Sequence, residues 1–104
     1  MTAITTPITF SLRYLPEQYH DEAKDYLARG IQPGSLLRAC LKNDLVSVWG
    51  CRNHSRRKVS DDIWSICHWL YWECPSEAWG NESKVSDWMR ERRNRPYERV
   101  EWRA

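Results

Sequence analysis

Segment 63–72 has more apolar side chains than a helix packed against one core needs. Apolar residues recur at intervals of three and four, which predicts an amphipathic helix. One stripe is predicted to face the core: Ile63, Trp64, Cys67, Leu70, Tyr71 and Cys74. A second stripe covers much of the side expected to face solvent: Ile66, Trp69 and Trp72. The helix is therefore either the buried centre of a bundle or half core and half docking surface.

The length of 104 residues predicts a single domain spanning 1–104. Each tryptophan can bury about 150–250 Å², so the seven tryptophans offer more aromatic area than one small core uses. No apolar run approaches the roughly 20 residues of a membrane span, and we expect no membrane partner. The N-terminus lacks the features of a secretory signal, and the four cysteines are irregularly spaced. These features favour reduced thiols in a cytoplasmic protein over a disulfide framework.

The pattern of elements predicts an all-α fold, a compact domain of four to five helices with an extended N-terminal segment. That segment covers residues 1–14, where apolar and polar residues alternate. The helical core covers 15–93, with helices over 16–29, 33–43 and 82–93 and an aromatic helix that is capped by Ser60 and contains the run 63–72. Gly30 is placed to end the first helix. Residues 44–50 are either a continuation of the second helix or a short further helix closed by Gly50. Residues 94–104 are predicted to be a mobile or docking tail rich in basic and aromatic residues.

The sequence predicts no catalytic residue, no metal and no cofactor. Five residues could in principle hold zinc: Cys51, His54, Cys67, His68 and Cys74. No CxxC pair is present, and neighbouring residues on a helix point about 100° apart. There is no glycine-rich phosphate loop, GxSxG or HExxH motif. We therefore expect a protein that is not an enzyme.

Basic and aromatic residues favour a binding function instead. The net charge is only +2, but the stretch 52–58 carries four cations and no acid. Tryptophan and arginine are enriched at the energetic centres of interfaces. The predicted partner-binding residues are Trp69, Trp72, Arg56, Arg57, Lys58, Arg92 and Arg93. Whether the two tryptophans belong to the core or to an interface stays open. The alternative is a small DNA- or RNA-binding regulator that uses the 52–58 loop and the C-terminal tail, with Tyr97 and Trp102 stacking on bases.

Four stretches carry a resemblance: RGIQPGSLL (29–37), LKNDL (41–45), LYWECPS (70–76) and WGNESKVxxW (79–88). They resemble a family of short, largely uncharacterised accessory proteins of tailed bacteriophages and prophages. The resemblance implies a protein of the host bacterial cytoplasm that binds and inhibits or redirects a host protein or protein–nucleic acid complex. A defence-system component is one such target, which would make the chain anti-CRISPR-like. A homo-oligomer is also compatible with this expectation.

Overall fold

The computed structural model describes residues 8–54 and 60–104, and the side chains of 8–50 and 61–104. Five α-helices and two short strands make up the described part. In chain order they are β1 (Ile8–Ser11), α1 (His20–Arg29), α2 (Ser35–Leu41), α3 (Leu45–His54), α4 (Ser60–Trp72), α5 (Glu82–Asn94) and β2 (Val100–Arg103). The predicted helical fold is confirmed. None of the helices in the described ranges has the length and apolar character needed to cross a membrane.

Local signals in the sequence account for several helix ends. Gly30 ends α1 in the left-handed conformation at φ 70°, as predicted. Asn81 caps α5, because its side chain accepts a hydrogen bond from the Lys84 amide at 2.9 Å. Asn43 separates α2 from α3, because its backbone adopts the left-handed conformation at φ 56°. The predicted stop at Gly50 is wrong, since α3 continues to His54; a glycine inside a helix costs only about 1 kcal/mol.

The core lies where α1 packs on α5 and α2 packs on α3 and α4. Its fully buried larger side chains are Leu12, Tyr26, Leu27, Leu37, Leu41, Ile66, Trp69 and Val85. Polar groups among them are paired, since the Tyr26 hydroxyl donates to the Ala78 carbonyl at 2.6 Å. The Trp88 indole donates to the Tyr26 carbonyl at 3.2 Å. Such pairing is what allows tyrosine and tryptophan to be buried without a large desolvation cost.

Each of the two predicted stripes is divided between core and surface, since Leu70 and Cys74 of the first stripe are buried and Trp72 of the second is exposed. Ile66 and Trp69 of the second stripe are buried together with Leu70. Trp64 and Tyr71 of the predicted inward stripe are 77% and 71% exposed. A helix that is apolar on most of its circumference satisfies the 3.6-residue period in more than one orientation, so its neighbours decide which side is buried. The exposed side of α4 is therefore aromatic, and it combines Trp64 and Tyr71 of the first predicted stripe with Trp72 of the second.

The C-terminal residues form ordered structure in place of the predicted mobile or docking tail. Strand β2 pairs in parallel with β1, and Phe10 is the register partner of Trp102. The two rings stack with centroids 5.4 Å apart. Val100, Glu101, Trp102 and Arg103 alternate apolar and polar side chains with a period of two, a signal typical of a strand.

Candidate docking surface

The outward side of α4 is an exposed aromatic surface, which we call the aromatic face. It consists of Trp64, Cys67, His68, Tyr71 and Trp72, all exposed. The tryptophan and tyrosine side chains are each at least 67% exposed. One large aromatic presents about 150–250 Å², so these three present roughly 300–550 Å². That matches the largest apolar patch of a typical monomer, which is often functional.

A groove extends the aromatic face toward α3. It encloses about 240 Å³ between the start of α3, the middle of α4 and Trp79. Leu45 and Val48 line it from α3, and Ile63, Cys67 and Tyr71 line it from α4. Leu45 is 80% exposed, so its side chain adds to the apolar area. The groove thus extends the apolar surface beyond the three large aromatic rings.

Ring-to-ring contacts hold the aromatic face in place. The Tyr14 ring lies on His68 with centroids 4.3 Å apart. His68 lies 6.5 Å from Trp72, which meets Tyr71 edge to face at 5.0 Å. Because these side chains restrict one another, less rotamer entropy is left to lose when a partner binds.

Glu73 holds Tyr14, the first ring in this series of contacts, in position. Its carboxylate accepts a hydrogen bond from the Tyr14 amide at 3.0 Å and another from the Ser11 hydroxyl. Arg13 Nε lies 3.5 Å from the same carboxylate, whose side chain is only 6% exposed. Burial by itself raises the pKa of Glu73, but the hydrogen bonds from Ser11, Tyr14 and Arg13 outweigh it and hold the pKa below its ordinary value. Glu73 is therefore ionised at neutral pH and fixes the segment that carries Tyr14.

The described part of the aromatic face and its groove carries carboxylates at its border and contains no lysine or arginine, while Arg13 lies next to it, over the Tyr14 ring. Helix α4 contains no lysine or arginine over 60–72, and Asp61 is exposed one turn before Trp64. Asp44 lines the groove, and hydrogen bonds from Ser47 lower its pKa, so it stays ionised. Burial raises the pKa of the Cys67 thiol, which keeps the thiol protonated. The surface is built for apolar contact, with carboxylates at its border.

The structure buries one of the two predicted tryptophan anchors and exposes the other. Trp69 is 1% exposed, and its indole donates to the Ser11 carbonyl at 2.7 Å. Its prediction as a surface anchor is therefore wrong, because a ring enclosed in the core cannot contact a partner. Trp72 is 67% exposed and belongs to the aromatic face.

The predicted basic residues do not come together with the tryptophans. Arg92 is buried at 9% exposure, with its guanidinium over the Tyr97 ring at 4.0 Å, so it is not a surface cation. Arg93 is exposed, and its Nε donates to the Gly30 carbonyl at 3.0 Å. Arg56, Arg57 and Lys58 lie outside the described residues.

Tyr97 and Trp102, the predicted base-stacking residues, are half-buried and packed against the core. The Trp102 ring stacks on the Phe10 ring, and the Tyr97 ring packs against the Arg92 guanidinium. Each ring is thus already in contact with another side chain of the protein, and stacking on bases stays a prediction.

The candidate zinc ligands are also scattered where they are described. Cys74 is buried, and burial raises the pKa of its thiol well above the ordinary value, so it is protonated. The His68 ring packs against the Tyr14 ring. The side chains of Cys51 and His54 lie outside the described residues. Within the side chains that the structure describes, no three metal-ligating groups converge.

The residues missed by the sequence analysis are Trp64 and Tyr71 as surface groups and Leu45 as a wall of the groove. A signal for Leu45 was present, since Leu45, Val46, Val48 and Trp49 spread apolar side chains around a wide arc of α3. A short helix at the edge of a small core cannot bury such an arc completely.

Comparison with known proteins gives no relative: no family model, no curated protein and no solved structure matches this chain.

Proposed function

We propose that this chain is a non-enzymatic protein that binds another protein through the aromatic face and its groove. The single observation that carries the proposal is the exposure of Trp64, Tyr71 and Trp72 together on one side of α4. Tryptophan and tyrosine are the residue types that most often dominate binding energy at protein interfaces. Exposing three of them costs solubility, so a covering partner is the simplest account.

Charge favours a protein over nucleic acid as the partner of this face. Proteins that stack nucleic-acid bases combine aromatic rings with lysine or arginine beside them. The described part of the aromatic face and its groove has Asp61 and Asp44 at its borders and contains no lysine or arginine, and the one arginine beside Tyr14, Arg13, lies against the Glu73 carboxylate. A partner surface with an apolar strip and basic residues at its rim is complementary to this arrangement.

The biological setting in the proposal comes from the resemblance to phage and prophage accessory proteins. On that basis the partner is a host protein or a protein of a host protein–nucleic acid complex, and defence-system components are candidates. An anti-CRISPR-like inhibitor would act by occupying such a surface stoichiometrically. This part of the proposal rests on likeness of sequence, which does not fix function by itself.

The test uses matched variants of the full chain. Tagged wild type, Trp64→Ala and Tyr71→Ala are compared for capture of host proteins, and each captured protein is then purified and its affinity measured. We expect each substitution to weaken binding about 30-fold or more, the effect of a 2 kcal/mol hot-spot residue. Glu101→Ala is the control, because Glu101 is exposed on β2 and away from α4.

Alkylation of Cys67 provides a second measurement in the same experiment. Cys67 is exposed on the aromatic face, whereas Cys40 and Cys74 are buried. In a Cys51→Ser background, a bound partner should slow alkylation of Cys67. The proposal is contradicted if the purified partner binds the alanine variants as tightly as wild type. It is equally contradicted if the face only pairs two copies of this chain, or if salt-dependent DNA or RNA binding explains the capture.

A further inference from the structure

A second surface, separate from the aromatic face, contains an arginine, Arg92, whose buried Nε–H has no hydrogen-bond partner among the described residues. It is an open cleft of about 640 Å³ between β1, the turn before α5, and α5 itself. Apolar residues Ile8, Phe10, Pro75 and Trp88 line one part of it. Arg92 and Tyr97 line another part. None of these residues belongs to the aromatic face, so this inference is independent of the proposed function.

Arg92 is held by rings instead of by hydrogen bonds. Its guanidinium carbon lies 4.0 Å from the Tyr97 ring centroid and 5.2 Å from that of Trp88. The residue is 9% exposed, and its Nε has no hydrogen-bond partner among the residues that the structure describes. The nearest carboxylate, that of Glu91, is 4.0 Å away, beyond hydrogen-bond distance. Stacking therefore orients a planar guanidinium whose Nε–H is not used by the described protein atoms.

A buried guanidinium without hydrogen bonds is costly, and native proteins rarely leave one so. The neighbouring arginines on α5 are paired: Arg90 donates to Asp87 at 2.8 Å and Arg93 to the Gly30 carbonyl. Arg92 differs from both neighbours, because its buried Nε–H has no such partner among the described residues. A planar fork of N–H donors matches the geometry of a carboxylate or phosphate oxygen pair.

The other charges in the cleft distinguish between these two anions. Glu77, Asp87 and Glu91 line it together with Lys84 and Arg92. Asp87 is neutralised by Arg90, which leaves two carboxylates against two cations. This near-balance penalises a dianionic phosphate more than a singly charged carboxylate. The apolar residues beside Arg92 suit a hydrophobic group attached to that carboxylate.

We propose that the Arg92 cleft binds the carboxylate of an apolar ligand, either the free C-terminus of a peptide or a small hydrophobic carboxylic acid. The Arg92 N–H groups donate hydrogen bonds to the carboxylate, while Tyr97 and Trp88 keep the guanidinium plane in position. Ile8, Phe10 and Pro75 contact the hydrophobic group. The two sources share this chemistry and are separated by the test.

The test follows the Arg92 Nε–H signal by NMR while ligands are added to the wild-type chain. The probes are N-acetyl-leucine, a hexapeptide ending in a free leucine carboxylate, the amides of both, and inorganic phosphate. We expect at least one of the two acids to shift the Arg92 signal in a saturable manner, at about millimolar affinity for the small acid. Its amide should bind at least about tenfold more weakly, because it lacks the charged oxygen pair. If only the hexapeptide shifts the Arg92 signal, the ligand is the C-terminus of a peptide. If both acids shift it, a small hydrophobic carboxylic acid is sufficient for binding.

Arg92→Lys tests whether the planar guanidinium is required, since lysine keeps the charge but lacks the planar set of N–H donors. We expect this variant to bind about tenfold more weakly, and Arg93→Lys, outside the cleft, to bind as wild type does. Equal binding of acid and amide overturns the proposal, as does phosphate binding as tight as that of the acids. Absence of any shift at Arg92 with both acids also overturns it. The wild-type NMR readout stands even where Arg92→Lys fails to fold.

Discussion

Trp69 and Trp72 show how much the environment decides the role of a residue. They lie three positions apart on α4, yet Trp69 is enclosed and Trp72 is 67% exposed. Trp69→Phe keeps a large ring but removes the indole N–H that pairs with the Ser11 carbonyl. We expect this substitution to lower the free energy of unfolding by about 2 kcal/mol, because a buried carbonyl loses its partner. Trp72→Phe should change it by no more than about 0.5 kcal/mol.

Denaturant unfolding followed by circular dichroism measures both changes without relying on tryptophan fluorescence. Equal effects of the two substitutions would contradict the assignment of Trp69 to the core and Trp72 to the surface.

Glu73 makes the stability of the protein depend on pH. Its pKa in the folded state lies below the ordinary value, so its contribution is fully present above the unfolded-state pKa. That contribution is lost as the pH falls through the folded-state pKa. We expect Glu73→Gln to lower the free energy of unfolding by about 1–2 kcal/mol near pH 7, because hydrogen bonds to a charged group are replaced by weaker ones.

The difference between wild type and Glu73→Gln should be smaller at about pH 3 than at pH 7, because the contribution of the Glu73 charge begins to be lost once the pH falls below the unfolded-state pKa. Glu98→Gln is the control, since Glu98 is exposed and should show little effect at either pH. Unfolding curves at the two pH values measure this. A difference that stays constant between them would contradict the role given to the Glu73 charge.

At the scale of elements, local rules predicted helix positions better than helix orientation. Gly30 and Asn81 act within one or two turns of the chain, so their effects on α1 and α5 can be predicted from neighbouring letters. The orientation of α4 depends on which residues lie across from it, including Ser11 and Tyr14 from the far end of the sequence. Periodicity alone could not decide which side of a helix with two apolar stripes faces the core, so of the two predicted anchors Trp69 is buried and Trp72 is exposed.

The same reasoning explains what could be predicted of the two candidate sites. Aromatic composition indicated a binding surface on α4, and Trp72 was predicted as part of it. The Arg92 cleft was not predicted, because Arg92 lies among exposed cations in the sequence and only tertiary packing puts it between Trp88 and Tyr97. A pattern of charged letters does not distinguish a solvated cation from one stacked on rings.

At the scale of the whole molecule, the two ends of the described chain are joined. Strand β1 begins at Ile8 and its register partner in β2 is Val100, so nearly all of the described chain lies between the paired residues. Besides the strand pairing, the Leu12 amide donates to the Arg103 carbonyl at 2.6 Å and the Tyr97 amide to the Ala28 carbonyl at 2.9 Å. Phe10 and Trp102 place the apolar side of the pair against the helices. The C-terminal segment therefore completes the core instead of serving as a free basic tail.

Trp102→Ala tests this closure. Removing the indole uncovers Phe10 and leaves space beside it, so we expect the free energy of unfolding to fall by about 2 kcal/mol. Glu101→Ala on the outward side of the same strand should change it by no more than about 0.5 kcal/mol. Hydrogen exchange should show slow exchange of the Leu12 and Tyr97 amides in wild type and faster exchange at Leu12 in Trp102→Ala. Unprotected Leu12 and Tyr97 amides in wild type, together with unchanged stability of Trp102→Ala, would mean that the tail is free after all.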